Sequence, residues 1–158
     1  MNTKPLRVIS IAVAAGKVGM VYMVGGELFD WKLTSNASLS NDRIKKWTEK
    51  QFQFYKPDIV ISERITSYSR KSDHTRGLIN AVALVAQNSA ANHIEIERVP
   101  THANKYDEIA ELSQEFPQIA DHAPKQPSIY MPEPKATIYF EALSMAVSLG
   151  QSPPNLPV

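Results

Sequence analysis

The sequence predicts a mixed α/β domain in which a five-stranded sheet, with three antiparallel strands followed by parallel strands, is flanked by helices. Three β-prone runs separated by small-residue turns open the chain, and strand and helix patterns alternate after them. The chain has 158 residues, of which 43% are hydrophobic and 21% charged, so it can bury one core. We expect one domain over residues 1–150 and a proline-rich tail over residues 151–158.

The first three strands are hydrophobic runs divided by residues that favour turns. Ala14-Ala15-Gly16 and Gly25-Gly26 stand between the runs, as tight hairpins require. The pattern predicts consecutive antiparallel strands over residues 8–13, 18–24 and 28–33.

Helices and strands alternate in the rest of the chain. Apolar residues recur at helical spacing over residues 38–55, where Ser40-Asn41-Asp42 offers an N-cap. The β-branched residues of 59–62 predict a buried central strand that runs into Glu63. The remaining patterns predict a strand over residues 94–99 and helices over residues 75–92, 105–116 and 135–149.

Composition and charge exclude several classes of protein. The absence of cysteine excludes disulfides, thiolate metal sites and cysteine nucleophiles. No apolar stretch approaches the roughly 18 residues that span a bilayer, so we expect a cytoplasmic protein. Residues 1–80 hold 13 Lys and Arg against 7 Asp and Glu, whereas residues 81–158 hold 4 against 9. This asymmetry suits either a basic face for phosphates or an ordinary mixed surface.

Two carboxylates occupy unusual positions for solvated charge. Glu63 follows the buried strand at its carboxyl end, where open α/β sheets tend to place catalytic groups. Glu141 is the one formal charge between residues 136 and 149. A buried carboxylate needs a partner, and a divalent metal suits two carboxylates at once. The alternatives are a surface pair of Glu63 with Arg64 or Arg70 and a solvated helix position for Glu141.

These segments, in this order, resemble the RuvC-type Holliday-junction resolvases of the ribonuclease-H-like superfamily over roughly residues 7–150. The family's first strand and turn match residues 9–19 (ISIAVAAGKVG), its second acid follows a strand like residues 57–63 (PDIVISE), and its terminal helix matches residues 141–146 (EALSMA). The resemblance implies a ribonuclease-H-like fold and a structure-selective endonuclease that cuts four-way or branched DNA during recombination and repair. It implies association with the nucleoid as well. It also implies a homodimer, because a four-way junction offers two symmetry-related strands.

The resemblance places the catalytic, metal-binding acids at position 12, Glu63 and Glu141, with two Mg²⁺ or Mn²⁺ ions. Two such ions about 3.5–4 Å apart activate water and stabilise charge on the phosphate. Position 12 is Ala12, whose methyl group cannot coordinate a cation, and Ile138 stands where some resolvases carry an extra acid. We therefore expect this chain to be catalytically impaired while its phosphate contacts survive.

Two explanations of Ala12 are open. The chain is a natural pseudo-nuclease that lost its chemistry, or an Asp was replaced by Ala so that DNA binds without being cut. We favour the second because Glu63 and Glu141 are retained. The alternative functions are non-catalytic binding of structured DNA or RNA and a ribonuclease-H-like nuclease directed at RNA.

The resemblance also suggests DNA contacts. A polar segment after Glu63 precedes the helix that the family uses near its junction-binding and dimer surfaces, and its tyrosine suits stacking on an opened base. An ordinary solvated loop is the alternative for this segment. Two lysines, one in the first hairpin and one at the start of the 105–116 helix, lie where the family presents backbone-contacting residues. The expected DNA contacts are Lys17, Tyr68, Arg70, Lys71, Arg76 and Lys105.

Overall fold

A computed structural model describes residues 4–98, 102 and 104–151, and the elements follow the predicted order. The strands are β1 (Arg7–Ala14), β2 (Lys17–Val24), β3 (Glu27–Thr34), β4 (Ile59–Glu63) and β5 (Asn92–Ile96). The helices are α1 (Asn41–Tyr55), α2 (Asp73–Gln87), α3 (Lys105–Glu115) and α4 (Thr137–Gln151), with 3-10 helices at Asn36–Leu39 and Pro117–His122. None of the described helices is long and apolar enough to cross a bilayer. Residues 152–158 of the predicted tail lie outside the described residues.

The five strands form one mixed sheet in the order β3-β2-β1-β4-β5. β2 pairs antiparallel with both β1 and β3, whereas β4 pairs parallel with both β1 and β5. Gly25 and Gly26 adopt φ angles of 59° and 84°, which the tight turn between β2 and β3 needs. The predicted sheet of three antiparallel strands followed by parallel strands is confirmed.

Helices cover both faces of the sheet, and the alternation along β1 sets which residues face each layer. Ile9, Ile11 and Val13 of β1 pack with α1 and α2 in one apolar cluster. Ala12 packs in a second cluster with residues of α3 and α4. Ser10 faces the same side, since its hydroxyl donates a hydrogen bond to the carbonyl oxygen of Ala142 at 2.7 Å. α4 therefore lies directly over the carboxyl-terminal half of β1.

Side-chain caps determine where the first two helices begin. The Ser40 hydroxyl accepts a hydrogen bond from the backbone N–H of Arg43 at 3.2 Å, which confirms the predicted N-cap of α1. The Ser72 hydroxyl accepts one from the backbone N–H of Thr75 at 3.2 Å. α2 therefore begins at Asp73, two residues before the predicted start.

The predicted ends of α2 and β5 were wrong by several residues. α2 ends at Gln87 rather than at residue 92. Just beyond this end the Ser89 hydroxyl donates to the carbonyl oxygen of Ala86 at 2.6 Å. β5 pairs along the five residues of β4 and ends at Ile96, opposite Glu63. The length of β5 is thus set by its partner strand, and residue 99 of the predicted strand lies outside the described residues.

Candidate functional site

The structure brings the three positions of the expected acid set to one edge of the sheet. Ser10 pairs with Ile61 in the parallel register, so Ala12 and Glu63 lie two residues further along adjacent strands and face α4. α4 carries Glu141 directly before Ala142, whose carbonyl contacts Ser10. Ala12 and Glu63 therefore lie at the carboxyl ends of β1 and β4, as parallel strands place functional groups, and α4 carries Glu141 over them.

Glu63 is nearly buried, with an exposed fraction of 9%, and it binds Lys71. The ammonium Nζ of Lys71 lies 3.1 Å from Oε1 and 3.0 Å from Oε2 of Glu63. The same ammonium donates to the carbonyl oxygen of Val13 at 2.7 Å, which ties the loop after β4 to the end of β1. A protein cation thus neutralises the first candidate acid.

Glu141 is neutralised by a cation from the segment after β5. The guanidinium of Arg98 donates from Nη1 to Oε1 of Glu141 at 2.6 Å, and its Nη2 lies 3.6 Å from Oε1 of Glu108. The second carboxylate oxygen of Glu141 is buried and accepts no hydrogen bond from the described residues. One arginine therefore links two carboxylates from α3 and α4.

The position of the missing acid is closed by apolar packing. Ala12 has an exposed fraction of 2% and lies opposite Gly19 of β2. Ile138 is fully buried against Gly19: a Cβ added to this glycine would lie 2.5 Å from Cγ2 and 2.8 Å from Cγ1 of Ile138. Ile138 thus fills the space beside Ala12, and it fits there because residue 19 of β2 is a glycine without a Cβ.

The family resemblance implies two divalent ions, and the side chains at this edge do not fit them. Mg²⁺ and Mn²⁺ require several oxygen ligands. Glu63 and Glu141 are each held by a protein cation, and Ala12 supplies no oxygen. Within the part of the chain that the structure describes, no three His, Cys, Asp or Glu side chains come together as a metal-binding group. The edge keeps two of the acids but lacks a donor set for a metal pair.

Lys17 and Lys105 both contact Glu133, in the loop before α4. Lys17 has an exposed fraction of 5%, and its Nζ lies 3.1 Å from Oε2 of Glu133, 3.2 Å from the carbonyl oxygen of Pro134 and 2.9 Å from Oγ1 of Thr137. Lys105 forms an ion pair with the other carboxylate oxygen of Glu133. Burial raises the pKa of Glu133, but the hydrogen bonds from Lys105 and Lys17 outweigh it and leave this pKa below its usual value. A DNA contact by Lys17 would require its ammonium to leave three acceptors.

The remaining expected DNA contacts lie in or beside the loop after β4. Arg76 donates from Nε to the carbonyl oxygen of Lys71 at 3.1 Å and from Nη2 to that of Ser69 at 2.5 Å, so it holds the loop in shape. Tyr68 has an exposed fraction of 92%, and Arg70 is exposed. The loop therefore presents the Tyr68 ring and the Arg70 guanidinium to solvent.

Arg98 was not predicted as the partner of Glu141. The signal was present in the strand pattern, because a residue two positions beyond Ile96 lies on the same face and at the same edge as Glu63. Lys71 was identified, but as a phosphate contact rather than as the partner of Glu63. Both omissions concern side-chain partners rather than the positions of the acids.

Solved structures that superpose on this chain include Holliday junction resolvases. RuvC of Thermus thermophilus superposes with a TM-score of 0.63 and 14% identity, covering 92% of this chain and 96% of that chain. The fowlpox virus resolvase in complex with Holliday junction DNA gives a TM-score of 0.62 and 14% identity, covering 93% of this chain and 98% of that chain. The chain has a RuvC-type resolvase fold.

More distant similarity extends to a third resolvase. The yeast mitochondrial Holliday junction resolvase Ydc2 has the resolvase fold with a TM-score of 0.51 and 9% identity, covering 92% of this chain and 82% of that chain. Neither a protein-family model nor a curated protein sequence matches this chain. The similarity thus establishes the resolvase fold, while the roles of individual residues depend on the contacts described above.

Proposed function

We propose that this protein binds branched DNA, four-way junctions above all, and that the present chain does not hydrolyse it. One observation carries the proposal. At the carboxyl ends of β1 and β4, Glu63 and Glu141 are present beside Ala12, and each of the two acids is bound by a protein cation. The structural similarity to resolvases, one of them solved with junction DNA, supports the choice of ligand.

Binding and hydrolysis depend on different groups at this edge. An acid at position 12 would add a third carboxylate to Glu63 and Glu141, the kind of donor set that two Mg²⁺ or Mn²⁺ ions need for phosphodiester hydrolysis. We infer that such a form is a metal-dependent endonuclease that nicks branched DNA. Binding requires only contacts to phosphates and bases, so it survives without the third acid.

The loop after β4 is the DNA contact that we propose first. Tyr68 offers an exposed ring for stacking on an unpaired base, and Arg70 offers an exposed guanidinium for a phosphate. Lys71 and Arg76 shape this loop through their contacts with Glu63 and with backbone carbonyls. Lys71 and Arg76 therefore contribute to DNA binding by holding the loop in position.

We propose that two copies bind one junction. A four-way junction has two symmetry-related strands, and a pair of identical chains related by a two-fold axis matches that symmetry. Native mass spectrometry of the complex should give two 17.6 kDa chains per junction. A single chain per junction at saturation would argue against the homodimer.

The main experiment separates binding from cutting. The chain and its Ala12→Asp variant are each mixed with a labelled four-way junction and with linear duplex, in Mg²⁺ or Mn²⁺. We expect both proteins to bind the junction more tightly than the duplex in a gel-shift assay, and only Ala12→Asp to make paired nicks. Adding Glu63→Gln or Glu141→Gln to Ala12→Asp should abolish the nicks.

Each outcome distinguishes between the candidate functions. Equal binding to junction and duplex, or cutting by the unaltered chain, contradicts the proposal. Tighter binding to structured RNA than to the junction would replace DNA by RNA as the ligand.

Junction binding without nicks by Ala12→Asp would favour the second candidate, a natural pseudo-nuclease. The fit of Ile138 against Gly19 favours that candidate, because an apolar side chain is packed at the position where some resolvases carry an extra acid, besides Ala12 at position 12. In that case the loss of chemistry would extend beyond position 12.

A further inference from the structure

An exposed apolar tip stands on the loop that precedes α4. Ile129 and Tyr130 have exposed fractions of 94% and 95%, and Met131 is 62% exposed. The backbone N–H of Met131 donates to the carbonyl oxygen of Ser128 at 3.0 Å, which closes a turn with Ile129 and Tyr130 at its apex. Three adjacent large apolar side chains in solvent indicate an interaction site rather than chance exposure.

The base of this loop is fixed although its tip is bare. Glu133, just beyond the tip, is held by the buried Lys17 and by Lys105. The Lys17 ammonium also contacts Pro134 and Thr137, at 3.2 Å and 2.9 Å. The tip is therefore presented on an anchored support, so little ordering is needed when it meets a ligand.

The support joins the tip to the edge that holds the candidate site. Lys17 lies opposite Ala14 at the end of β1, two residues beyond Ala12. Thr137 begins α4, the helix that carries Glu141 one turn later. The loop is therefore attached beside the carboxyl end of β1.

We propose that Ile129, Tyr130 and Met131 form a wedge that enters between unstacked bases at the branch point of DNA. The proposal rests on the proposed function and adds to it how a branch is recognised. Aliphatic and methionine side chains are the residues that proteins insert at opened base steps, and tyrosine rings stack on bases. Opening is cheapest where stacking is already interrupted, so a wedge discriminates a branch from a duplex.

The size of the tip favours bases over a protein partner. A stable protein–protein interface buries at least about 1,200 Å² in total, which three side chains on one turn do not supply. A gap between two base planes, in contrast, is filled by one or two side chains. Bases of branched DNA are therefore the occupant that we propose.

The experiment uses a four-way junction with 2-aminopurine at the branch point, whose fluorescence rises when the base unstacks. The test variant is Ile129→Ser/Tyr130→Ser/Met131→Ser, and the matched control is Phe29→Ser/Leu39→Ser, which removes exposed apolar side chains elsewhere. The unaltered chain and the control should raise the fluorescence equally. The test variant should lose this rise and bind the junction about tenfold more weakly, with duplex binding unchanged.

Other results overturn the wedge in distinguishable ways. Failure of the unaltered chain to prefer the junction removes the proposed function and the wedge with it. Junction preference and a fluorescence rise that persist in the test variant remove the wedge alone. Equal losses of junction and duplex binding would make the tip a general DNA contact, and a change in oligomeric mass without DNA would make it a contact between two copies.

Discussion

The edge formed by the ends of β1 and β4 has two corners with different chemistry. The charged corner consists of two ion pairs: Glu63–Lys71 and Glu141–Arg98. The apolar corner consists of three small or aliphatic residues: Ala12, Gly19 and Ile138. In the charged corner, a bound cation offsets the cost of partly burying each carboxylate. In the apolar corner, close packing of Ile138 against Gly19 fills the space. The comparison teaches that acids can remain as structural ion pairs, so their retention alone does not imply catalysis.

The largest expected effect tests the apolar corner. Gly19→Ala places a Cβ 2.5 Å from Cγ2 of Ile138 and 3.0 Å from its carbonyl oxygen, so backbone and side chain must both shift. We expect the free energy of unfolding to fall by about 3 kcal/mol, measured by urea denaturation.

The control for this variant is Gly77→Ala in α2, whose added Cβ would meet only the Asn41 side chain at 3.6 Å. Its stability should stay unchanged or rise by up to about 1 kcal/mol. The double variant Gly19→Ala/Ile138→Ala should cost less than the sum of the two single changes. Full additivity would mean that Ile138 does not close this corner.

The next effect tests the charged corner. Lys71→Met leaves the nearly buried carboxylate of Glu63 without its cation and should lower the free energy of unfolding by about 2 kcal/mol. Adding Glu63→Gln removes the unpaired charge and should recover most of the loss. Arg70→Met, in the same loop but exposed, should change stability by less than about 0.5 kcal/mol. A loss in Lys71→Met that Glu63→Gln does not recover would show that the two side chains are not energetically coupled.

A smaller effect connects the two corners through metal binding. Mn²⁺ should not stabilise the unaltered chain, since the charged corner supplies its own cations. Ala12→Asp/Lys71→Met restores an acid and removes a competing ammonium, so Mn²⁺ several-fold above its Kd should stabilise that variant by about 1 kcal/mol. Thermal unfolding in Mn²⁺ and in chelator measures this stabilisation for the unaltered chain and for the variant. Stabilisation of the unaltered chain by Mn²⁺ would show that the edge holds metal without a third acid.

The smallest effect is a response to acid in the loop before α4, where Glu133 pairs with Lys17 and Lys105 beside the two corners. The pKa of Glu133 is lowered in the folded protein, so its contribution to stability is present above its ordinary pKa and is lost as the pH falls through the lowered value. The carboxylate is more than one third exposed, which limits this contribution to less than about 1 kcal/mol. Amide hydrogen exchange, corrected for its intrinsic pH dependence, should show the start of α4 opening more readily in acid. Lys17→Met should weaken this response to acid. An unchanged response would contradict the claim that Lys17 holds the loop before α4 through Glu133.

Local patterns predicted most of the fold, and tertiary pairing determined where β5 ends. Residues 59–62 were expected as a buried central strand running into Glu63, and β4 has this place in the sheet. A helix cap was expected within residues 40–42, and Ser40 supplies it, because capping involves a few neighbouring residues. The end of β5 was misplaced because strand length depends on the partner strand, which no local pattern encodes.

The candidate site was predictable in its positions but not in its contacts. The register of β1 and β4 brings Ala12 and Glu63 to one edge, as the order of the motifs predicted. The partners come from elsewhere: Arg98 lies 43 residues from Glu141, and Lys17 lies 116 residues from Glu133. Contacts over such separations depend on how β5 and the loop before α4 meet the sheet.

The sequence by itself determined the order of the elements, the mixed sheet and the absence of an acid at position 12, because periodicity, turn residues and residue identity are local properties. Only the tertiary structure decided that Glu63 is bound by Lys71, that Lys17 is buried rather than displayed, and that the tip at Ile129 is bare. Whether a lysine binds a phosphate or a neighbouring carboxylate depends on its burial and on its partner. Both are set by segments that meet only when the chain is folded.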